Sequence, residues 1–423
     1  MKSIYEKYCS NNMLENIVKY AYKKVPFYSE LYKKYNVING NENLPKDFLQ
    51  LPLVQKSDVL KFPEKLLSED YYDDYVDSRL INYHTSGSTG TCLDISWSEK
   101  NVSHSLLGLW YLRKKYYNIN TWDRYCSFYS NMRRGYDEPM QVQVDNCLTF
   151  SKNNLTDSRI SEIYNAIVEF QPVFMIVEPS IALLLCQCVK KDNLPIPASL
   201  KYIELTGEYL FEEVRAEIES VFKCKTANQY GAYEVNSIAY ECPEGHLHCM
   251  TQNVLVEILD DNGNPVNSGE EGHIYLTSLS NYTMPFIRYN IGDIGKLNVD
   301  FKCKCGNSAP VLELINGRNN DMITVVSGRK IHGSLLAKVV ENTNKLLLNP
   351  IMQFQINQIE YDKIIVKLVL ARKDIDLQQL VDVFLSLIDE EELMGLNYEF
   401  QIYNNLLPNS KTGKLAYFTS EVK

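Results

Sequence analysis

Tyr83-His84-Thr85-Ser86-Gly87-Ser88-Thr89-Gly90-Thr91 is the stretch on which the reading of this 423-residue chain turns. Five small hydroxyl residues and two glycines come after the apolar pair Leu80-Ile81 and precede the alternating run Leu93-Asp94-Ile95-Ser96-Trp97. Alternation of that kind reads as a strand, which places the small residues in a turn between strands. With so little side-chain bulk, backbone N–H groups and hydroxyls can close around a polyanion. No Gly-Lys-Ser/Thr ends the turn, so it is not a Walker loop. Alone, such a turn is more often a plain chain reversal, and its meaning depends on the partners that the rest of the chain supplies.

The bulk properties narrow the field. A chain of this length suggests two or three domains, and 45% hydrophobic with 23% charged residues is ordinary soluble composition. A net charge of −10 argues against a general nucleic-acid binder. The 30 tyrosines are spread along the chain rather than interleaved with a basic stripe. The start, Met1-Lys2-Ser3-Ile4-Tyr5-Glu6-Lys7, has no apolar core, so no signal peptide is expected. No apolar run approaches a membrane span. These readings lead to a cytoplasmic protein without membrane insertion. Its 11 cysteines are then structural, metal-bound or incidental.

Outward from the loop, Leu14, Ile17, Val18, Ala21 and Tyr22 have helical spacing, with Pro26 expected to end the segment. Leu51 to Val54 leads into a short helix at Lys56-Ser57-Asp58, and Asn101 to Tyr117 is helical. Ser127 to Gln141, with Arg133, Arg134 and Tyr136, reads as irregular: a pocket wall or a solvated loop. Pro172 to Val177 is a buried strand and Pro179-Ser180 starts a helix. Cys186 and Cys188 in that helix point to different faces, which disfavours a shared metal. Leu200 to Leu205 is a strand with exit turn Thr206-Gly207-Glu208, and then a helix runs to Phe222. Strand–helix repetition implies a parallel sheet with ligands at the strands' carboxyl ends. Asn228-Gln229-Tyr230-Gly231-Ala232-Tyr233-Glu234 is expected after another short strand; its glycine permits close backbone approach and its carboxylate suits magnesium. Val254 to Leu259, the turn Asp261 to Asn264 and Gly272 to Leu276 form a β-ribbon.

Taken in order, Thr85-Ser86-Gly87-Ser88-Thr89-Gly90, Thr206-Gly207-Glu208, Tyr230-Gly231-x-x-Glu234, Arg288-Tyr289-x-x-Gly292-Asp293, Gly317-Arg318-x-x-Asp321 and Lys411-Thr412-Gly413-Lys414 resemble the acyl-adenylate-forming superfamily. Val25-Pro26-Phe27-Tyr28 and the Glu241-Cys242…Leu247-His248 segment resemble its phenylacetate–coenzyme A ligases and their capsule-biosynthesis relatives. The likeness spans nearly the whole chain. It implies an α/β fold: a large N-terminal adenylate-forming domain (1–318) with parallel-rich sheets and a β-ribbon region, plus a small mobile C-terminal α+β domain (319–423).

The same resemblance implies a ligase that activates a carboxylic acid, aryl or small, with ATP and Mg²⁺, then passes it to coenzyme A. A carrier-protein pantetheine or an amine is the alternative acceptor, and a homodimer is a further implication. Thr85, Ser86, Gly87, Ser88, Thr89 and Gly90 would cradle phosphates, and Glu234 would hold Mg²⁺. Gly207, Glu208, Gln229, Tyr230 and Gly231 would lie around the adenine. Asp293 would accept from the ribose diol, which offers two donors, with Arg318 assisting. Lys414 would be catalytic, bridging carboxylate and phosphate as a compact point charge on a Pro/Asn/Ser/Gly-rich loop. Relatives often carry Asp or Lys two positions after the arginine, where this chain has Asn320; Gly328 would approach the pantetheine arm.

Cys242, His248 and the Cys303-Lys304-Cys305-Gly306 knuckle make a tetrahedral structural Zn²⁺ site of three thiols and one imidazole, with His246 and Cys249 as competing ligands and scattered reduced thiols as the alternative. A hydrolase triad has no support, since no Gly-x-Ser-x-Gly elbow is present.

Overall fold

A computed structural model describes residues 12–37, 48–84, 93–129, 140–152, 155–318, 322–348, 350–371, 375–389, 391–407 and 415–422. It divides into two compact units, residues 1–121 with 227–314, and residues 122–226 with 315–423.

In the first unit, Leu14, Ile17, Val18 and Ala21 bury one face of the helix Met13–Lys24. Pro26 does more than end it: after the extended Val25 it opens a second helix, Pro26–Lys34, as the first residue whose missing N–H costs nothing. Tyr28 of that helix accepts a hydrogen bond from the Ile287 N–H at 2.8 Å, tying the N-terminal helices to a core with Trp97, Phe286 and Tyr289. The strands Ile81–His84 and Asp94–Trp97 pair antiparallel, Ile81 opposite Trp97, as the alternation requires. The turn between them, 85–92, lies outside the described residues, and with it Thr85 through Gly90. Helix Glu99–Tyr117 comes next, its first turn capped by Ser98.

The rest of this unit is sheet, in the order Val254–Leu259, Glu271–Ser278, Tyr289–Asn298, Val311–Arg318, Leu247–Cys249, Asn236–Glu241 and Lys225–Ala232. The expected ribbon is its first pair, Val254 opposite Ser278. One expectation shifts. Gln229, Tyr230 and Gly231 sit within the strand Lys225–Ala232 rather than after it, because that strand pairs with Asn236–Glu241, Gln229 opposite Tyr240.

The second unit holds a parallel sheet ordered Tyr202–Thr206, Phe174–Val177, Tyr125–Tyr129 and Cys147–Ser151, with Gln141–Val144 antiparallel at one edge. Ser127 to Tyr129 therefore belong to a strand; residues 130–139, with Arg133, Arg134 and Tyr136, lie outside the described residues. Helices Asp157–Phe170, Pro179–Asp192 and Glu212–Phe222 bury Ile163, Ile167, Ile181, Leu185 and Ile218 in its core. Beyond Ile315 the chain forms a second sheet in the order Asn397–Tyr403, Lys363–Leu370, Ile351–Glu360 and Phe418–Ser420. Helices Ser334–Leu346 and Leu377–Ser386 share a core with it. Within this unit Phe211 packs edge-on against Phe354 and Tyr417, with ring centroids 5.3 and 5.2 Å away. The α/β class is as expected.

Candidate active site

In the first unit the acidic motifs meet. Tyr230 donates from its hydroxyl to Asp293 Oδ2 at 2.7 Å, across 63 residues of sequence. Asp293 is held by the turn before it: Gly292 takes φ +87°, and its N–H donates to Asn290 Oδ1 at 2.9 Å. Positive φ is cheap only for glycine, which explains the Gly-Asp order. Gly231 is equally constrained. A Cβ there would lie 2.8 Å from the Asn236 carbonyl oxygen and 2.6 Å from Gln229 Nε2.

Glu234 is buried and accepts from the Tyr289 hydroxyl at 3.4 Å. Burial first, then the nearby Glu234 charge, pushes the Tyr289 phenol well above its ordinary value, so it stays a donor at neutral pH. Tyr233, next in sequence, stacks on Tyr83 with centroids 4.9 Å apart and planes 10° from parallel. Its carbonyl accepts from Trp97 Nε1 at 2.8 Å. Both strands that flank the Ser/Thr/Gly turn are thus fastened to the residue beside Glu234. A buried carboxylate at that place suits Mg²⁺, which favours oxygen ligands.

Arg288, the first residue of the Asp293 motif, serves the framework. It takes φ 49°, pairs with buried Glu257 at 3.0 Å, and donates Nη1 to the Leu49 and Leu51 carbonyls at 2.8 and 2.7 Å. Sequence reasoning assigned no role to this side chain, because its partners lie 31 and more than 230 positions away.

In the second unit, Gly207 (φ +82°) ends the strand Tyr202–Thr206 and aims Glu208 at the start of the helix Pro179–Asp192. Glu208 Oε2 accepts from the Ser180 N–H at 3.0 Å, and Oε1 from the Ser180 hydroxyl at 2.8 Å and the Leu415 N–H at 2.7 Å. Burial, then the neighbouring Glu178, pushes this carboxyl up to about 7, against the pull of those three donors. Glu178 itself is paired with the buried Lys152. Neither Ser180 nor the Leu415 amide stood out in the sequence; the only cue to Ser180 was its place at a helix start. Lys414 lies outside the described residues, as does the Arg318 side chain.

The cysteine reading meets a real cluster. The ligand atoms of Cys242, His248, Cys303 and Cys305 lie within 4.8 Å of one another. Cys242 and Cys303 sulfurs are 3.7 Å apart, and Cys305 Sγ lies 3.4 Å from His248 Nε2. A tetrahedral zinc with ordinary bond lengths requires about 3.8 Å between sulfurs and about 3.6 Å between sulfur and nitrogen. The donor set therefore fits Zn²⁺. His248 Nδ1 lies 3.0 Å from the Ala309 carbonyl, which can only accept, so the proton sits on Nδ1 and Nε2 is left to ligate. Burial lowers the His248 pKa, which favours the neutral ring a metal needs. Cys249 comes after His248 in the strand Leu247–Cys249 and points to the other face, removing one competitor. His246 stays close, its Nδ1 3.5 Å from Cys303 Sγ.

Comparison with known proteins agrees with these motifs. The AMP-binding enzyme family matches residues 49–284, over half of the chain. Protein CapK of Staphylococcus aureus is 22% identical across 98% of this chain and 89% of its own length. A phenylacetate-coenzyme A ligase of Thermus thermophilus is 26% identical across 74% and 70%. In fold, the chain resembles 2-hydroxyisobutyryl-CoA ligase in its postadenylation state with 2-HIB-AMP, at a TM-score of 0.68 and 16% identity, covering 92% of this chain and 84% of that one. Motifs, fold and relatives converge, and the chain belongs to the AMP-binding enzymes of the acyl-adenylate-forming superfamily, beside the phenylacetate–coenzyme A ligases.

Proposed function

We propose that this protein joins a carboxylic acid, aryl or small, to coenzyme A in two steps. A carboxylate oxygen attacks the α-phosphorus of ATP and the bond to pyrophosphate breaks, giving an acyl-adenylate. The coenzyme A thiol, losing its proton, then attacks the acyl carbon and AMP leaves. The observation that supports this reading is the fastening of Tyr83 and Trp97, in the two strands that flank the Ser/Thr/Gly stretch, to Tyr233, the residue before Glu234.

Each residue then has a chemical task. Residues 85–90 offer hydroxyls and N–H groups to the phosphates, where transition-state charge grows. Glu234, kept in place by the Tyr289 hydroxyl, holds Mg²⁺. Mg²⁺, when bound, neutralises phosphate charge. Asp293, oriented by Tyr230, accepts from the ribose hydroxyls, and Arg318 assists. Gln229 and Gly231 serve the adenine, glycine letting the backbone come close. Lys414 bridges the attacking carboxylate and the phosphate. The domain boundary falls at 318/319, and residues 319–423 rotate between the two steps. Zn²⁺ at Cys242, His248, Cys303 and Cys305 is structural, since four protein ligands leave no open position. The protein works in the cytoplasm.

A pyrophosphate-release assay over aryl, fatty and amino acids, with and without coenzyme A, tests the reading. Release with one acid class, stimulated by coenzyme A, is the expected result. Release indifferent to coenzyme A would move the acceptor to a carrier-protein pantetheine or an amine. Silence across a broad panel would overturn adenylation. Lys414→Ala should abolish release while ATP binding and folding persist.

A further inference from the structure

The helix Glu99–Tyr117 buries one stripe of its surface, Asn101, Ser105, Leu109 and Leu112, at intervals of three and four residues. The polar members of that stripe are matched. Asn101 Oδ1 accepts from the Tyr282 and Thr283 amides at 2.9 and 3.1 Å, and Ser105 Oγ from Asn236 Nδ2 at 2.6 Å. The next position along the stripe is Tyr116, in the last turn, and its hydroxyl donates to Cys305 Sγ at 4.0 Å. Cys305 Sγ also accepts from the Asn307 N–H at 3.4 Å. The Asn307 side chain reaches the Tyr116 hydroxyl, and its Oδ1 accepts from the Ala309 N–H at 3.0 Å. Ala309 in turn is the residue whose carbonyl holds His248 Nδ1, at 3.0 Å. Tyr116 and Asn307 thus stand beside two of the four zinc-binding side chains.

We propose that Tyr116 is a positioning residue of the zinc site, holding Cys305 through its hydroxyl, and that bound Zn²⁺ in turn seats the C-terminal end of the helix Glu99–Tyr117; this rests on the zinc reading above. Charge supplies the reason. Three thiolates and a neutral imidazole around Zn²⁺ leave a negative charge in excess. At Cys305 that excess meets two donors, the Asn307 amide and the Tyr116 hydroxyl, and hydrogen bonds to an ionised acceptor are the stronger kind. A phenylalanine would fill the same stripe position, so the hydroxyl is there for what it donates to. The coupling is reciprocal: whatever the hydroxyl adds to zinc binding, zinc adds to the docking of the helix end. The opposite end of this helix follows the strand Asp94–Trp97, so the helix runs from a strand beside the Ser/Thr/Gly stretch to the Cys-x-Cys-Gly knuckle.

The test is competition for Zn²⁺ between the full chain and a chromophoric chelator, wild type against Tyr116→Phe. Zinc affinity should fall about tenfold or more in the variant, the usual cost of losing a partner that orients a metal ligand. Tyr111→Phe, on the exposed side of the same helix, should bind zinc as the wild type does. Asn307→Ala should also weaken binding, and combining it with Tyr116→Phe should cost less than the sum, because the two side chains touch. Co²⁺ in place of zinc supplies a spectroscopic check: its thiolate charge-transfer band should shift in Tyr116→Phe, which a mere packing role would not move. Amide exchange checks the reverse direction. The amides of Arg113 to Tyr117 should exchange faster once zinc is removed from the wild type, and this difference should shrink in Tyr116→Phe. Equal zinc affinity with an unshifted band would overturn the inference alone and leave Tyr116 as packing. A wild type that takes up no zinc would overturn the zinc reading, and this inference with it.

Discussion

Replacing Glu208 by Gln should flatten the pH dependence of stability, and the size comes from the burial of the carboxyl. Its pKa rises from 4.5 to about 7, driven by desolvation and then by Glu178. At 1.36 kcal/mol per unit, that rise makes the ionised form about 3 kcal/mol less favourable in the folded protein than in the unfolded chain. The sign comes from linkage. An acid whose folded pKa lies above its unfolded one favours the fold while protonated, below about pH 4.5. That contribution is lost as pH climbs through the window from 4.5 to about 7 and is absent above it. Glutamine has no such transition. The gap in unfolding free energy between wild type and Glu208→Gln should therefore shift in the variant's favour by up to about 3 kcal/mol between pH 5 and pH 8. Urea titrations monitored by fluorescence at both pH values would read it. Curves that stay parallel would mean that Glu208 ionises in place at no cost, and that the repulsion from Glu178 is fully screened by Lys152.

The first unit yields three further expected outcomes. The purified protein should carry about one zinc per chain by elemental analysis, and Cys303→Ser or Cys305→Ser should lose the metal and melt earlier; a wild type essentially free of zinc would refute the site. Arg288→Ala should destabilise by about 3–5 kcal/mol, because it strands the buried Glu257 charge and two carbonyl acceptors. Arg288→Lys should recover little, since an ammonium cannot reproduce the guanidinium fork, and urea titration checks both. Gly231→Ala should cost about 1–3 kcal/mol and weaken ATP binding measured by calorimetry, because the added Cβ meets the Asn236 carbonyl at 2.8 Å.

The sequence exposed those features whose chemistry is local. The Cys-x-Cys-Gly knuckle has its reason within four residues and could be read without a structure, whereas Pro26 was legible as the end of one helix and not as the start of the next. Where the reason is distant, the reading stopped short. The strand Lys225–Ala232 runs through its motif because Asn236–Glu241 pairs with it, a fact that no periodicity in 225–232 contains. His246 and His248 differ by two positions and look alike as ligands; what orients His248 is the Ala309 carbonyl, 61 residues away. Arg288 opens the motif that the resemblance assigns to the nucleotide, yet its side chain turns to Glu257 and the Leu49 and Leu51 carbonyls.

Glu208 shows why such a gap matters for function. Its place after Thr206-Gly207 marks it as a nucleotide-side residue, and the φ of +82° at Gly207 fits a turn that exposes backbone there. Its carboxylate nevertheless points to Ser180 and Leu415. One residue can belong to both arrangements because backbone and side chain leave the α-carbon in different directions. A substitution that alters only the side chain then separates the two roles. If Glu208→Gln flattens the pH dependence of stability and leaves the affinity for ATP unchanged, side chain and backbone carry separate tasks, and only the backbone's was legible in the sequence.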